Sequence, residues 1–149
     1  MDRTRKNISI KTFEYGYDIY RESVPFRNKV LLEPHNRPES CSDFDFPDKD
    51  IYIGAFLGEH LIGTVILTPR ENGTVQMRQL AVDENYRSQG IGRDLVLFSE
   101  NRARERGFSI MVLHARESAV AFYLRLGYER FGDRFLEIDL PHWEMKKAL

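Results

Sequence analysis

Cysteine is nearly missing from the chain. Cys41 is the only one, so no internal disulfide and no multi-thiolate zinc site can be built. Long apolar runs are missing too, and none approaches the ~18 residues that a membrane-spanning helix needs. Met1 to Lys6 is charged, but no apolar stretch of about 7–15 residues follows it, so no secretory signal is expected. Neither sign of charge is in excess: 22 Lys and Arg stand against 23 Asp and Glu, for a net charge of −1. A general polyanion binder needs a cationic surplus to neutralise phosphates, so nucleic acid is not an expected partner. The 4 histidines include no pair at metal-ligand spacing, and no metal is expected. Internal repeats, low-complexity tracts and linkers are absent as well. These absences leave a soluble, cytoplasmic protein with no membrane partner.

What is present reads as one globular domain over residues 1–149. With 42% hydrophobic and 30% charged residues, a chain of this length buries roughly 68–70% of its unfolded surface without staples. Ile8 to Thr12 reads as a first strand. Phe13 to Leu32 reads as a helix interrupted at Pro25, because proline removes a helical donor. Glu33 to Asp50, with three prolines and the acidic run Ser42-Asp43-Phe44-Asp45, reads as a long loop, a feature more often functional than idle. Ile51–Leu57 and Leu61–Thr68 are β-rich runs joined at Gly58-Glu59. Asn72-Gly73 marks a type I′ turn into a third antiparallel strand, Thr74 to Val82.

From Gly90 the period changes. Ile91, Leu95, Val96, Phe98 and Ala103 share one helical face, and Gly107 is a natural stop. Phe108 to Ala115 then reads as a strand parallel to Thr74–Val82. Ser118 is placed to cap a short helix ending at Gly127, with Ala119, Phe122, Tyr123 and Leu126 on one face. Tyr128–Arg130, Phe135–Leu140 and Glu144–Ala148 complete a mixed α/β pattern as short strands.

The densest chemistry lies where a strand gives way to a helix, over Leu80-Ala81-Val82 and then Arg87-Ser88-Gln89-Gly90-Ile91-Gly92. The first N–H groups of a helix lack internal partners and carry the positive end of its dipole. Glycines let a ligand approach that main chain, which makes the turn suited to a phosphate or pyrophosphate. It is not a Walker loop, because Arg93-Asp94 follows where Lys-Ser/Thr is required. It is not a dinucleotide fingerprint either, because Leu95 stands where the third glycine belongs.

This segment matches the R/Q-x-x-G-x-G/A motif of the GNAT superfamily of N-acetyltransferases. Leu113-His114-Ala115-Arg116 through Ala121-Phe122-Tyr123-Leu124-Arg125-Leu126-Gly127-Tyr128 resembles that family's second motif. The ending Glu137-x-Asp139-Leu140-Pro141-His142-x-x-Met145 is similar to a small bacterial branch of the ElaA type. The likeness runs from about Ile51 to the carboxyl terminus. It implies a twisted, largely antiparallel sheet of about seven strands with a splayed parallel pair, flanked by about four helices. It also implies an acetyl-CoA site. Leu80, Ala81 and Val82 would pair with the pantetheine, and Arg87, Ser88, Gln89, Gly90, Ile91, Gly92 and Arg93 would hold the phosphates. Ser118, Phe122 and Tyr123 would complete the site.

Direct acetyl transfer to an amine needs a neutral amine, a donor for the oxyanion and an acid for the leaving thiolate. The resemblance points to Tyr123 as the acid, although a tyrosine in the middle of an apolar helix face also suits a core. The glutamate that histone-type members carry on the cofactor strand is replaced here by Gln76, which cannot accept a proton. The remaining base candidates are Glu137 and His142, set five residues apart around a proline turn. They suit catalysis and strand bracing equally well. His114 reads as a satisfied core histidine. The acceptor pocket is expected between Tyr15 and Asp50, with Glu33, Asp43 and Asp45 as an acidic rim for a cationic small-molecule or peptide amine. Two readings stay open: an acetyl-CoA-dependent N-acetyltransferase, and a non-catalytic CoA-binding module acting as sensor or structural partner. A generic phosphate binder is a weaker third. The late strands offer an edge for a homodimer.

Overall fold

The computed structural model describes residues 7–38 and 45–149. Seven strands form one sheet: β1 (Ile8–Phe13), β2 (Ile51–Leu57), β3 (His60–Pro69), β4 (Thr74–Val82), β5 (Ile110–Arg116), β6 (Glu129–Glu137) and β7 (Leu140–Ala148). Three α-helices accompany them: α1 (Asp18–Leu31), α2 (Ile91–Glu105) and α3 (Val120–Arg125). The strand order is β1-β2-β3-β4-β5-β7-β6. Every neighbouring pair is antiparallel except β4 and β5. This is the architecture expected from the resemblance, with three α-helices among the described residues where about four were expected.

The first half of the sheet follows from turn chemistry. Glu71-Asn72-Gly73-Thr74 closes with Asn72 at φ 57° and Gly73 at φ 72°, the two left-handed residues that a type I′ turn demands. β2 and β3 are buried along nearly their whole length, a pattern that arises when both faces of a strand are covered. Ile51, Ile53 and Ala55 join α2's Leu95, Val96 and Ala103 in one core cluster. The alternate side chain Tyr52 meets Tyr20 of α1 with ring centroids 5.1 Å apart. The two helices therefore cover opposite faces.

Helix ends follow their glycines. After α2, Gly107 stands at φ 86°. Its N–H donates to Arg104 O, and the Phe108 N–H donates to Ala103 O, the paired bonds of a Schellman stop. Gly127 repeats the pattern after α3, with donations from Gly127 to Leu124 O and from Tyr128 to Tyr123 O.

Several expectations need correction. α1 runs through Pro25 without a break, held by the tertiary bonds of buried Arg27 to Asp45 and Gln79. Ser118 sits in a 3₁₀ turn (Glu117–Ala119) and caps no helix with its side chain. The chain ends in two long strands, not three short ones. Their turn is Ile138-Asp139, both at positive φ, while Pro141 lies inside β7 opposite Leu136. No helix among the described residues is long and apolar enough to cross a membrane.

Candidate active site

The site is created by a divergence. β4 and β5 pair only from Thr74↔Ile110 to Met77↔Leu113, yet both strands continue, to Val82 and Arg116. β4 bends away at a bulge, where Gln79 adopts φ 54° and the register against β3 slips. Bulges turn strands and raise local twist. Beyond the last shared pair, Ala81 and Val82 keep β3 on one side, and among the described residues no strand pairs with Leu80–Val82 on the other. An extended ligand bearing amides fits that open edge, as a peptide adds to a sheet.

The glycine turn lies at the far end of the same strand. The Asp83 side chain accepts from the Asn85 N–H at 2.9 Å, which closes a 3₁₀ turn over Glu84–Tyr86. Ser88 (φ 63°) and Gly90 (φ 81°) are left-handed, and they bend the chain into the concave run of N–H groups that suits an anion. The first helical bond runs from the Asp94 N–H to Gly90 O at 3.0 Å. The N–H groups of Ile91, Gly92 and Arg93 thus fall in the first turn, where a helix offers them no carbonyl. Ile91 buries its side chain in the core and has only backbone to offer. Arg87, Ser88 and Arg93 are exposed, and Gln89 is half-buried. A Cβ on Gly92 would stand 3.6 Å from Phe122 and 3.7 Å from Val82, so Phe122 forms a wall beside the turn. These residues fit a pyrophosphate on an extended arm, which is the outline of CoA.

The splay opens into a cleft of about 270 Å³ lined by α1, β4, β5, Tyr123 and the β6–β7 turn. Tyr123 is buried, with its ring against Phe122 (5.0 Å) and Tyr128 (5.8 Å). Among the described residues its hydroxyl has no hydrogen-bond partner. Burial pushes the phenol well above the ordinary tyrosine range, so it keeps its proton at neutral pH. Ser118 also lines the cleft.

Glu137 and His142 do converge. Glu137 Oε2 lies 3.4 Å from His142 Nε2, and its other oxygen lies 3.0 Å from His114 Nδ1. His142 is buried, and its Nδ1 donates to Leu140 O at 2.8 Å, which fixes the ring. The His114 hydrogen bond holds the Glu137 carboxyl below its usual range, aided by the charges of His142, His114 and Arg116 against the opposing effect of burial. His114 is exposed at the cleft, not a core histidine. Among the described residues, no group of three His, Cys, Asp or Glu side chains is disposed to hold a metal.

Among the described residues the expected acidic rim does not form. Asp45 is paired in a bidentate ion pair with buried Arg27, at 2.9 and 3.0 Å, and it also accepts from Tyr20 Oη. Glu33 is exposed and does not line the cleft, and Asp43 lies outside the described residues. Gln76 reaches the cleft, but its amide oxygen accepts from Arg70. Sequence reading missed Arg27, Gln79 and Arg116. Arg27 also donates to Gln79 Oε1 at 3.2 Å, which leaves Gln79 Nε2 as a donor without a partner beside the cleft. The one available signal was spacing, because Ser23 and Arg27, four apart, share the buried face of α1.

Fold and site together are those of an acyl-group transferase. The sequence model of the Acetyltransferase (GNAT) family matches residues 14–128, and the chain belongs to that family. It is similar to the Bacillus subtilis uncharacterized N-acetyltransferase YjcF, with 26% identity over 128 residues, covering 85% of this chain and 91% of the relative. Escherichia coli ElaA superposes with a TM-score of 0.80 at 16% identity, over 94% of this chain and 99% of that one. A Bacillus subtilis acetyltransferase solved in complex with CoA superposes at 0.70 with 17% identity, over 95% and 99%.

Proposed function

We propose that the protein transfers an acetyl group from acetyl-CoA to a primary amine directly, within a ternary complex. The observation that carries this reading is the parting of β4 and β5 after Met77 and Leu113. It opens the β4 edge at Leu80 onto the cleft that Tyr123 and Glu137 line, and the turn at Gly90 follows just beyond the end of that strand. Family membership and a CoA-bound structural neighbour support it.

Each residue then has a task. The main chain of Leu80–Val82 aligns the pantetheine arm, and the first turn of α2 holds the phosphates beside Arg87 and Arg93. Acetyl-CoA would supply the activated thioester. Glu137, with His142 behind it, takes one proton from the acceptor ammonium and passes it to solvent. The free amine forms a bond to the thioester carbon as the carbon–sulfur bond breaks. Tyr123 lends its proton to the departing sulfur and is restored by the second proton that the new amide nitrogen sheds. Gln79 Nε2, a donor without a partner among the described residues, would serve the developing oxyanion.

Gln76, occupied by Arg70 and unable to take a proton, favours the second reading of a CoA-binding module without catalysis. Titration with acetyl-CoA and CoA, followed by thiol release over an amine panel, separates the two. Binding with release supports the transferase, binding without release supports the module, and no binding at millimolar ligand overturns both.

A further inference from the structure

The cleft holds two opposite charges that do not neutralise each other. Arg116, at the end of β5, is half-buried and lines the cleft. Its Nη2 donates to Leu31 O at the end of α1. Among the described residues it has no ion-pair partner, and its other N–H groups are unclaimed. Glu137 is the carboxylate that it feels, but the two stand beyond ion-pair distance, and Glu137 is already bridged by two histidines. A half-buried guanidinium without a counter-ion is costly, because burial penalises its charge. The neighbourhood adds cationic character: Arg37 donates through Nε to Ile138 O at 2.8 Å. Arg116 and Arg37 both act on His35, whose pKa is lowered first by burial and then by their charges. The other two arginines on the cleft have carboxylate partners, Arg27 with Asp45 and Arg78 with Asp50.

A cleft with an anionic end at Glu137 and, at Arg116, a cationic end that no described residue pairs is complementary to a zwitterion. We infer that the acceptor is a small amine carrying its own carboxylate, of the amino-acid type. Its ammonium is directed to Glu137, and its carboxylate is received by the forked N–H groups of Arg116. Planar bidentate capture of carboxylates is what arginine does best. The cleft volume of about 270 Å³ is at the small end for ligand sites and admits such a molecule. This inference rests on the acetyltransferase reading and narrows its acceptor class.

The test reads binding as well as turnover. The protein is saturated with CoA and titrated with a panel of N-acetyl amino acids, each paired with the same amide lacking the carboxylate, such as N-acetylalanine against N-ethylacetamide. The expected result is a member that binds at least tenfold more tightly than its decarboxylated counterpart. R116Q should erase that preference while CoA affinity and melting temperature stay as in the wild type, and R116K should restore part of it. The same ordering should appear in thiol release from acetyl-CoA with the free amines. CoA binding with no carboxylate preference anywhere in the panel overturns the inference alone, as does a preference that survives R116Q. An equal loss of CoA affinity in R116Q also overturns it, because Arg116 would then serve the cofactor phosphates. Failure of the wild type to bind CoA at all overturns the acetyltransferase reading and this inference with it.

Discussion

Glu137 on β6 reaches across β7 to His114 on β5, with its Oε1 3.0 Å from His114 Nδ1. The strand between them contributes His142, 3.4 Å from the other carboxylate oxygen. Three adjacent strands thus place their polar side chains around one carboxylate. The hydrogen bond from His114 is the largest reason that carboxylate keeps its charge to lower pH than usual. A carboxylate with a depressed folded pKa contributes stability that is fully present above the unfolded value, near 4.3, and lost as pH falls through the folded value. E137Q should therefore melt below the wild type at neutral pH, and the gap should close below about pH 4. Melting curves from pH 3 to 8 check this. A gap that persists at pH 3 would mean that packing, not charge, accounts for it. Thiol release by E137Q at neutral pH should fall about 10²–10⁴-fold.

The two glycines at the start of α2 should respond differently to alanine. Gly90 holds φ 81°, where a Cβ costs roughly 1–2 kcal/mol. Gly92 heads a normal helical turn, and a methyl there meets only van der Waals neighbours at 3.6 Å and beyond. G90A should lose stability by that amount and weaken CoA binding as the N–H groups move. G92A should leave stability unchanged within a few tenths of a kcal/mol, since alanine favours the helix. Urea denaturation and CoA titration of both variants test this. The opposite order would show that Gly90 is not strained by a side chain.

The contrast between these glycines explains what was legible in the chain. Local grammar carried the Asn72-Gly73 turn, the two Schellman stops at Gly107 and Gly127, and the glycine start of α2, because each depends on residues a few positions apart. Periodicity found the core face of α2 but passed over Ser99 and Glu100, both fully buried on it. Glu100 is tolerated because Lys147, at 3.0 Å, and Tyr128 Oη, at 2.9 Å, arrive from β7 and from the residue after Gly127. That is a long-range solution no local pattern announces. The same reason hid the Asp45–Arg27 pair, which joins loop to helix across 18 residues, and the exposure of His114, which depends on β4 leaving β5 early. Pro25 misled in the opposite direction, because its local penalty was outweighed by tertiary contacts.

Asp45 offers a test of that hidden pair. Arg27 is buried, and the Asp45 side chain is only 10% exposed. Burial works to raise the Asp45 pKa, but the hydrogen bonds from Arg27 and Tyr20 outweigh it and hold the carboxyl below its ordinary value. D45N keeps the shape and removes the charge, so Arg27 is left with a buried, uncompensated guanidinium. Breaking such a pair typically costs about 3–5 kcal/mol. The cost should shrink as pH falls through the folded Asp45 pKa, because the wild type then loses the same charge. Urea midpoints at pH 7 and pH 3 measure both effects. A loss under 1 kcal/mol at pH 7 would mean that solvent or another acid compensates Arg27.

Tyr123 separates catalysis from architecture most cleanly, because its ring and its hydroxyl have different surroundings. The ring is packed against Phe122 and Tyr128, while the hydroxyl has no partner among the described residues and opens to the cleft. Y123F retains the packing and deletes only the oxygen. A buried hydroxyl that makes no protein hydrogen bond contributes little to stability, so the melting temperature of Y123F should stay close to that of the wild type. Loss of a general acid should lower kcat about 10²-fold or more while CoA affinity stays unchanged. Amines attack a thioester more readily when the thiolate is protonated as it leaves, so the deficit should be smaller for an acyl donor with a more acidic thiol. Thiol release with the two donors, alongside CoA titration, distinguishes the outcomes. A matching loss of CoA affinity and stability would make Tyr123 a packing residue and leave the departing sulfur to be protonated by water.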